Sequence, residues 1–156
     1  MERSRDHQGR HRLAAGGGLG GIEVTLLLDT HAALWFALED AALGKRSRAL
    51  AAQALEESRL AISAISFWEI ALLIQKGRLQ SDLPGTELRL TLLDTGIAEL
   101  PLTGEIALLS ATLGLHPDPA DRFIAATAIL HQATLLTADA RLLDWKHALR
   151  RQNARR

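Results

Sequence analysis

The stretch Leu26-Leu27-Leu28-Asp29-Thr30 decides how this chain folds. Three consecutive leucines, entered through Val24 and Thr25, present no polar face, as a strand covered on both sides requires. The run stops at a carboxylate, and Thr30 offers an N-cap for a helix carrying Ala33, Leu34 and Leu38. A buried strand turning directly into a helix is the opening of an alternating strand–helix fold with a parallel sheet.

The same alternation continues downstream. A helix fits Lys45 to Ser58, and Leu60–Ile65 reads as a strand leading into a helix from Phe67 to Lys76 that Gly77 closes. Pro84 opens another helix, running to about Thr95. Ile97–Leu100 is a third strand, and a helix follows from about Thr103 to Leu113. The loop Leu115-His116-Pro117-Asp118-Pro119 cannot continue helically. Pro119 starts the helix Ala120–His131, Thr134–Leu136 is a fourth strand, and Asp139 opens a last helix that fades into a basic tail. Alternation of this kind implies a parallel sheet with helices on both faces.

Bulk properties narrow the function. A chain of 156 residues, 47% hydrophobic, suits one domain with a substantial core. It has no cysteine, which excludes a disulfide framework and a thiolate metal site and is compatible with the cytoplasm. No apolar run approaches the roughly 20 residues of a membrane span. Residues 1–21, rich in Arg, His and Gly, read as a flexible leader; 22–146 form the folded domain; 147–156 form a basic, solvated tail. The net charge of zero conceals an acidic body, which is a poor general binder of nucleic acid but suits carboxylates gathered around a cation.

Four acids stand where the chain switches between strand and helix: Asp29, Glu69, Asp121 and Asp139. Each has a structural explanation. Ser66-x-x-Glu69 fits a capping box, Asp118 can cap the helix that Pro119 begins, Asp121 favours that helix's positive end, and Asp139 can be an N-cap. Asp29 is harder to explain, because Thr30 can do the capping. Jointly, all four fall at the edge where the carboxyl ends of strands open onto a crevice. Chance capping does not require them to meet there. Hard oxygen donors select Mg²⁺ or Mn²⁺, and metal-assisted hydrolysis of a phosphodiester is the reaction class they suggest.

The motifs Leu28-Asp29-Thr30-His31, Ile62-Ser63-Ala64-Ile65-Ser66-Phe67-Trp68-Glu69-Ile70, Asp118-Pro119-Ala120-Asp121-Arg122-Phe123-Ile124-Ala125-Ala126 and Leu136-Thr137-Ala138-Asp139 resemble PIN-domain ribonucleases, VapC-type toxins of toxin–antitoxin modules in particular. The resemblance spans about Val24 to Trp145. It implies a PIN-like three-layer α/β/α fold with a central, mostly parallel sheet of about four to five short strands. It also implies Asp29, Glu69, Asp121 and Asp139 as the metal-holding catalytic acids, with Thr137 ordering the site. Mg²⁺ or Mn²⁺ would be the cofactor and RNA the substrate, cut endonucleolytically in the cytoplasm. A cognate antitoxin and a second copy of the chain would be the partners. The alternative is a catalytically silent PIN module acting through protein or RNA binding. Receiver domains and haloacid-dehalogenase-type phosphatases fit poorly, because Asp29 is unpaired and position 31 is His rather than Asp.

Other residues admit two readings. His31 can position a water or phosphate near Asp29, or simply pack at a helix start. Arg122 can pair with a carboxylate or the scissile phosphate, against a surface ion pair of little worth. His116 beside Pro117 can face the crevice, with an ordinary loop histidine as the favoured reading, and Lys76 and Arg78 read as complements to a helix dipole rather than as RNA contacts. Trp35, Phe36, Phe67, Trp68 and Phe123 read as core or dimer interface rather than base-stacking platforms.

Overall fold

Five short strands form one wholly parallel sheet in the computed structural model, which describes residues 23–156. The expected leader over 1–21 lies outside the described residues. The first half of the order is β1 (Leu26–Leu28), α1 (Thr30–Ala37), α2 (Lys45–Glu56), β2 (Leu60–Ser63), α3 (Ile65–Gln75) and α4 (Gly85–Asp94). Then come β3 (Ala98–Leu100), α5 (Gly104–Thr112), α6 (Pro119–Leu130), β4 (Thr134–Thr137), α7 (Ala140–Leu143) and β5 (Arg151–Asn153). The strands lie in the order β3-β2-β1-β4-β5, so β1 is central.

Pleating explains why the opening leucines are all needed. Leu27 joins Ala61 of β2 and Leu135 of β4 in one core layer, which α5 and α6 cover through Ile106 and Ile124. Leu26 and Leu28 join Leu60, Ile62 and Leu136 in the other, beneath α1 to α4. Leu27 and Leu28 are fully buried, and each contributes about 2 kcal/mol of hydrophobic free energy. Register does the rest. Leu28 pairs with Ile62 and with Leu136, so the residues after β1, β2 and β4 emerge side by side at one edge.

Four expectations are corrected. The N-cap of α1 is Asp29, extended at φ −71° and ψ 172°, whose carboxylate accepts from Ala32 N. Thr30 is already helical and buried, and its hydroxyl donates to Ser66 Oγ at 3.0 Å. The Ser66–Glu69 capping box does not form. Helix α3 begins at Ile65, two residues earlier than expected, where Ser63 Oγ accepts from Ile65 N at 3.3 Å, and Glu69 sits beyond the first turn. The last helix is a single turn, Ala140–Leu143.

The basic tail is not solvated. Arg151, Gln152 and Asn153 pair with Leu135, Leu136 and Thr137 as the fifth strand. The Arg151 guanidinium donates to the carbonyls of Leu142, Trp145 and His147, which gives this charge a structural use. Beyond the strand, Ala154 is fully buried, Gly44 N donates to its carbonyl at 2.8 Å, and Ser47 N donates to Arg156 O at 2.8 Å. The remaining elements fall within two residues of their expected ends.

Candidate active site

The edge where β1, β2 and β4 end opens onto a cleft of about 550 Å³. Asp29, Glu69, Asp121 and Asp139 all line it, having arrived from the end of β1, from α3, from the first turn of α6 and from the end of β4. His31, Asp118 and Trp68 share the wall, and Lys76, Arg78, Arg141 and Arg155 bring positive charge to it.

Asp29 is the deepest of the four acids, 7% exposed. One carboxylate oxygen accepts from Ala32 N at 2.8 Å and the other from the Thr137 hydroxyl. Burial still pushes its pKa up, more than these two bonds pull it down. Thr137 also accepts from Asp139 N at 3.1 Å, so one buried hydroxyl ties the exits of β1 and β4 together. Asp139 behaves differently. Burial raises its pKa, but the side-chain and backbone hydrogen bonds from Arg141 outweigh that and hold it below the usual value.

Asp121 is pushed up to about 6, first by burial and then by the charges of Asp118 and Asp139, against the lowering effect of a bond with His116. That bond runs 2.6 Å from His116 Nε2 to Asp121 Oδ2. Glu69 is half-buried and is also raised, chiefly by burial. Arg141 reaches Asp139 Oδ2 at 3.0 Å and Asp121 Oδ2 at 3.4 Å. Three raised carboxylates, with a guanidinium placed across one of them and the lowered Asp139, describe a crowded anionic site. In the present side-chain positions, no group of three or more carboxylates and imidazoles among the described residues is arranged to hold a metal ion.

Several assignments shift against this geometry. His31 lines the cleft and is exposed, its ring 6.2 Å from that of Trp35. Arg122 does not line the cleft and pairs with no carboxylate among the described residues. Its guanidinium donates to the carbonyls of Ser110, Leu113, Leu115 and His116, because residues adjacent on a helix point about 100° apart. His116 is no ordinary loop residue, being bonded to Asp121. Lys76 and Arg78 line the cleft, as do Trp35 and Trp68, the latter 47% exposed. Phe36, Phe67 and Phe123 pack against the core as expected. Arg141 and Arg155 were not singled out in the sequence. Arg141 stands two residues after Asp139, a spacing that signals contact only once a helix turn is known to start there.

A parallel sheet, a carboxylate-lined cleft at its carboxyl edge and a sequence match to the PIN domain over residues 26–147 go together: the chain belongs to the PIN-domain family. It is 38% identical over 126 residues to ribonuclease VapC22 of Mycobacterium tuberculosis, covering 79% of this chain and 93% of that protein. Among solved structures it is similar to a toxin–antitoxin complex from Klebsiella pneumoniae, with a TM-score of 0.50 and 25% identity over 78% of this chain and 93% of that one. DNA-bound VapBC from Salmonella typhimurium shares the fold, with a TM-score of 0.60 and 19% identity over 83% and 97% of the two chains.

Proposed function

We propose that this chain is a divalent-metal-dependent endoribonuclease, the toxin of a toxin–antitoxin pair, acting in the cytoplasm and held silent by a cognate antitoxin protein. The observation that carries this reading is the meeting of Asp29, Glu69, Asp121 and Asp139 in one cleft, from positions up to 110 residues apart. The likeness to a ribonuclease over most of the chain supports the substrate class, and the likeness to a toxin–antitoxin complex supports the partner. A homodimer is part of the same reading. No helix among the described residues is long and apolar enough to cross a membrane.

The donor set fits a hard cation: four carboxylates, no thiolate, and raised proton affinities that a bound positive charge would relieve. Asp29, Asp121 and Asp139 would hold Mg²⁺ or Mn²⁺, with Glu69 contributing and Arg141 giving way. When bound, the cation supplies an acidified water and neutralises charge developing on the phosphate. The chain's own residues do the positioning. Thr137 and Ala32 N fix both oxygens of Asp29. Glu69, half-buried and lining the cleft, would accept a proton from the attacking water. Lys76, Arg78 and Arg155 give an otherwise acidic cleft its contacts for RNA phosphates.

The test is cleavage of RNA by purified protein with Mn²⁺ or Mg²⁺, followed by analysis of the ends. Attack by water leaves 5′ phosphates and 3′ hydroxyls, and Asp121→Asn lowers the rate at least 100-fold. A 2′,3′-cyclic phosphate, or equal activity in EDTA, overturns the proposal.

A further inference from the structure

The segment between α5 and α6 has an unusual hydrogen-bonding problem. Helix α5 ends at Thr112, leaving last-turn carbonyls without helical donors, and Pro117 and Pro119 remove two backbone N–H groups from the stretch that follows. One side chain resolves much of it. All three nitrogens of the Arg122 guanidinium are used: Nε donates to His116 O at 3.0 Å, one Nη to Ser110 O and Leu113 O at 2.9 Å each, and the other to Leu115 O at 2.5 Å. Arginine's rigid five-donor fork suits this convergence, and lysine's single ammonium does not. The carbonyl of His116 is therefore tied to the first turn of α6.

The His116 ring returns to the same helix one residue earlier. Its side chain is 15% exposed, and Nε2 lies 2.6 Å from Asp121 Oδ2, itself on a side chain 13% exposed. A carboxylate only accepts, so Nε2 carries the hydrogen while Asp121 is ionised. Asp121 Oδ2 also takes the contact from Arg141, whereas Oδ1 accepts no hydrogen bond among the described residues. Asp118 holds the backbone of the same turn, its carboxylate accepting from Asp121 N at 3.2 Å. Helix α6 thus supplies both a cleft carboxylate and, at the next position, the clamp for the group that orients it.

We propose that His116 is a positioning residue of the nuclease centre. Held by the Arg122 clamp, it fixes one oxygen of Asp121 so that the other is presented to a divalent cation in the cleft. This rests on the metal-dependent reading above. A partner that fixes the orientation of a ligating carboxylate governs metal affinity and turnover more than substrate binding, and its loss costs about 10–100-fold.

The test uses the full chain with Mn²⁺ alone in calorimetry, and RNA cleavage at saturating Mn²⁺. His116→Ala is expected to weaken Mn²⁺ binding about tenfold and to lower kcat with KM for RNA unchanged. His116→Gln, whose amide N–H can reach the same oxygen, restores most of both. The proposal is overturned if folded His116→Ala binds Mn²⁺ and turns over like wild type, or if the Gln and Ala variants lose both equally. Should His116→Ala fail to fold, the Gln variant decides alone: near-wild-type Mn²⁺ affinity and kcat support positioning, and their loss overturns it. Failure of the underlying reading looks different, because wild type itself would then bind no Mn²⁺ and cut no RNA.

Discussion

Asp121 carries a conflict between its charge and its place in the cleft. In the unfolded chain its carboxyl ionises near 3.8; in the fold, burial and the neighbouring Asp118 and Asp139 raise it to about 6. Between those values the folded protein holds a proton that the unfolded chain has released. Without metal, the contribution of Asp121 to stability therefore falls as pH rises from about 4 to about 6, then levels off. Asp29 and Glu69, also raised, push the same way, whereas Asp139, lowered, loses its contribution only on acidification through its own depressed pKa. Asp121→Asn removes the charge while keeping the shape. In EDTA at pH 7 its melting temperature should exceed that of wild type by roughly 2–6 °C, and the difference should vanish near pH 4. A pH-independent difference in thermal melts would show that the fold does not raise the pKa of Asp121.

At the scale of elements, the last strand shows both how the sheet is closed and where sequence reading stops. β1, β2 and β4 were legible because apolar runs end at Asp29, Ser63 and Thr137, and a buried parallel strand has that signature. Arg151-Gln152-Asn153 has no such pattern, and only pairing with β4 makes it a strand. The Ser66–Glu69 spacing imitated a capping box although Ser63 serves the start of α3, and Arg122 was misjudged because adjacency along a helix is not a shared face. The acids themselves were legible by position, and their convergence needed the parallel register. The chain after β5 packs so closely that a Cβ at Gly44 would overlap the backbone of Arg155 and Arg156. Gly44→Ala should therefore destabilise the protein by about 1–3 kcal/mol, a loss readable in urea unfolding. An unchanged midpoint would mean that the segment yields freely.

At the scale of the whole molecule, charge is distributed against its average. The body between the two basic ends is acidic, yet Lys76, Arg78, Arg141 and Arg155 all reach the cleft. Arg155 comes from the chain's far end, its guanidinium 5.0 Å from the centre of the Trp35 ring. A ligand that neutralises this cleft acts on the folded state alone, so its effect is felt by the entire fold. Mn²⁺ at about 100 times its dissociation constant should add about 2.7 kcal/mol and raise the melting temperature by roughly 5–10 °C. Asp121→Asn should show much less of that rise. Equal rises in both proteins would place the ion elsewhere.

The guanidinium of Arg141, bonded to both Asp121 and Asp139, gives the cleft a tenant of its own. An arriving potassium or sodium ion brings no more charge than the group already tethered there and must displace it without electrostatic advantage. A doubly charged ion gains about twice the attraction at the same distance. On the metal-dependent reading, this side chain would discriminate by valence without touching the ion.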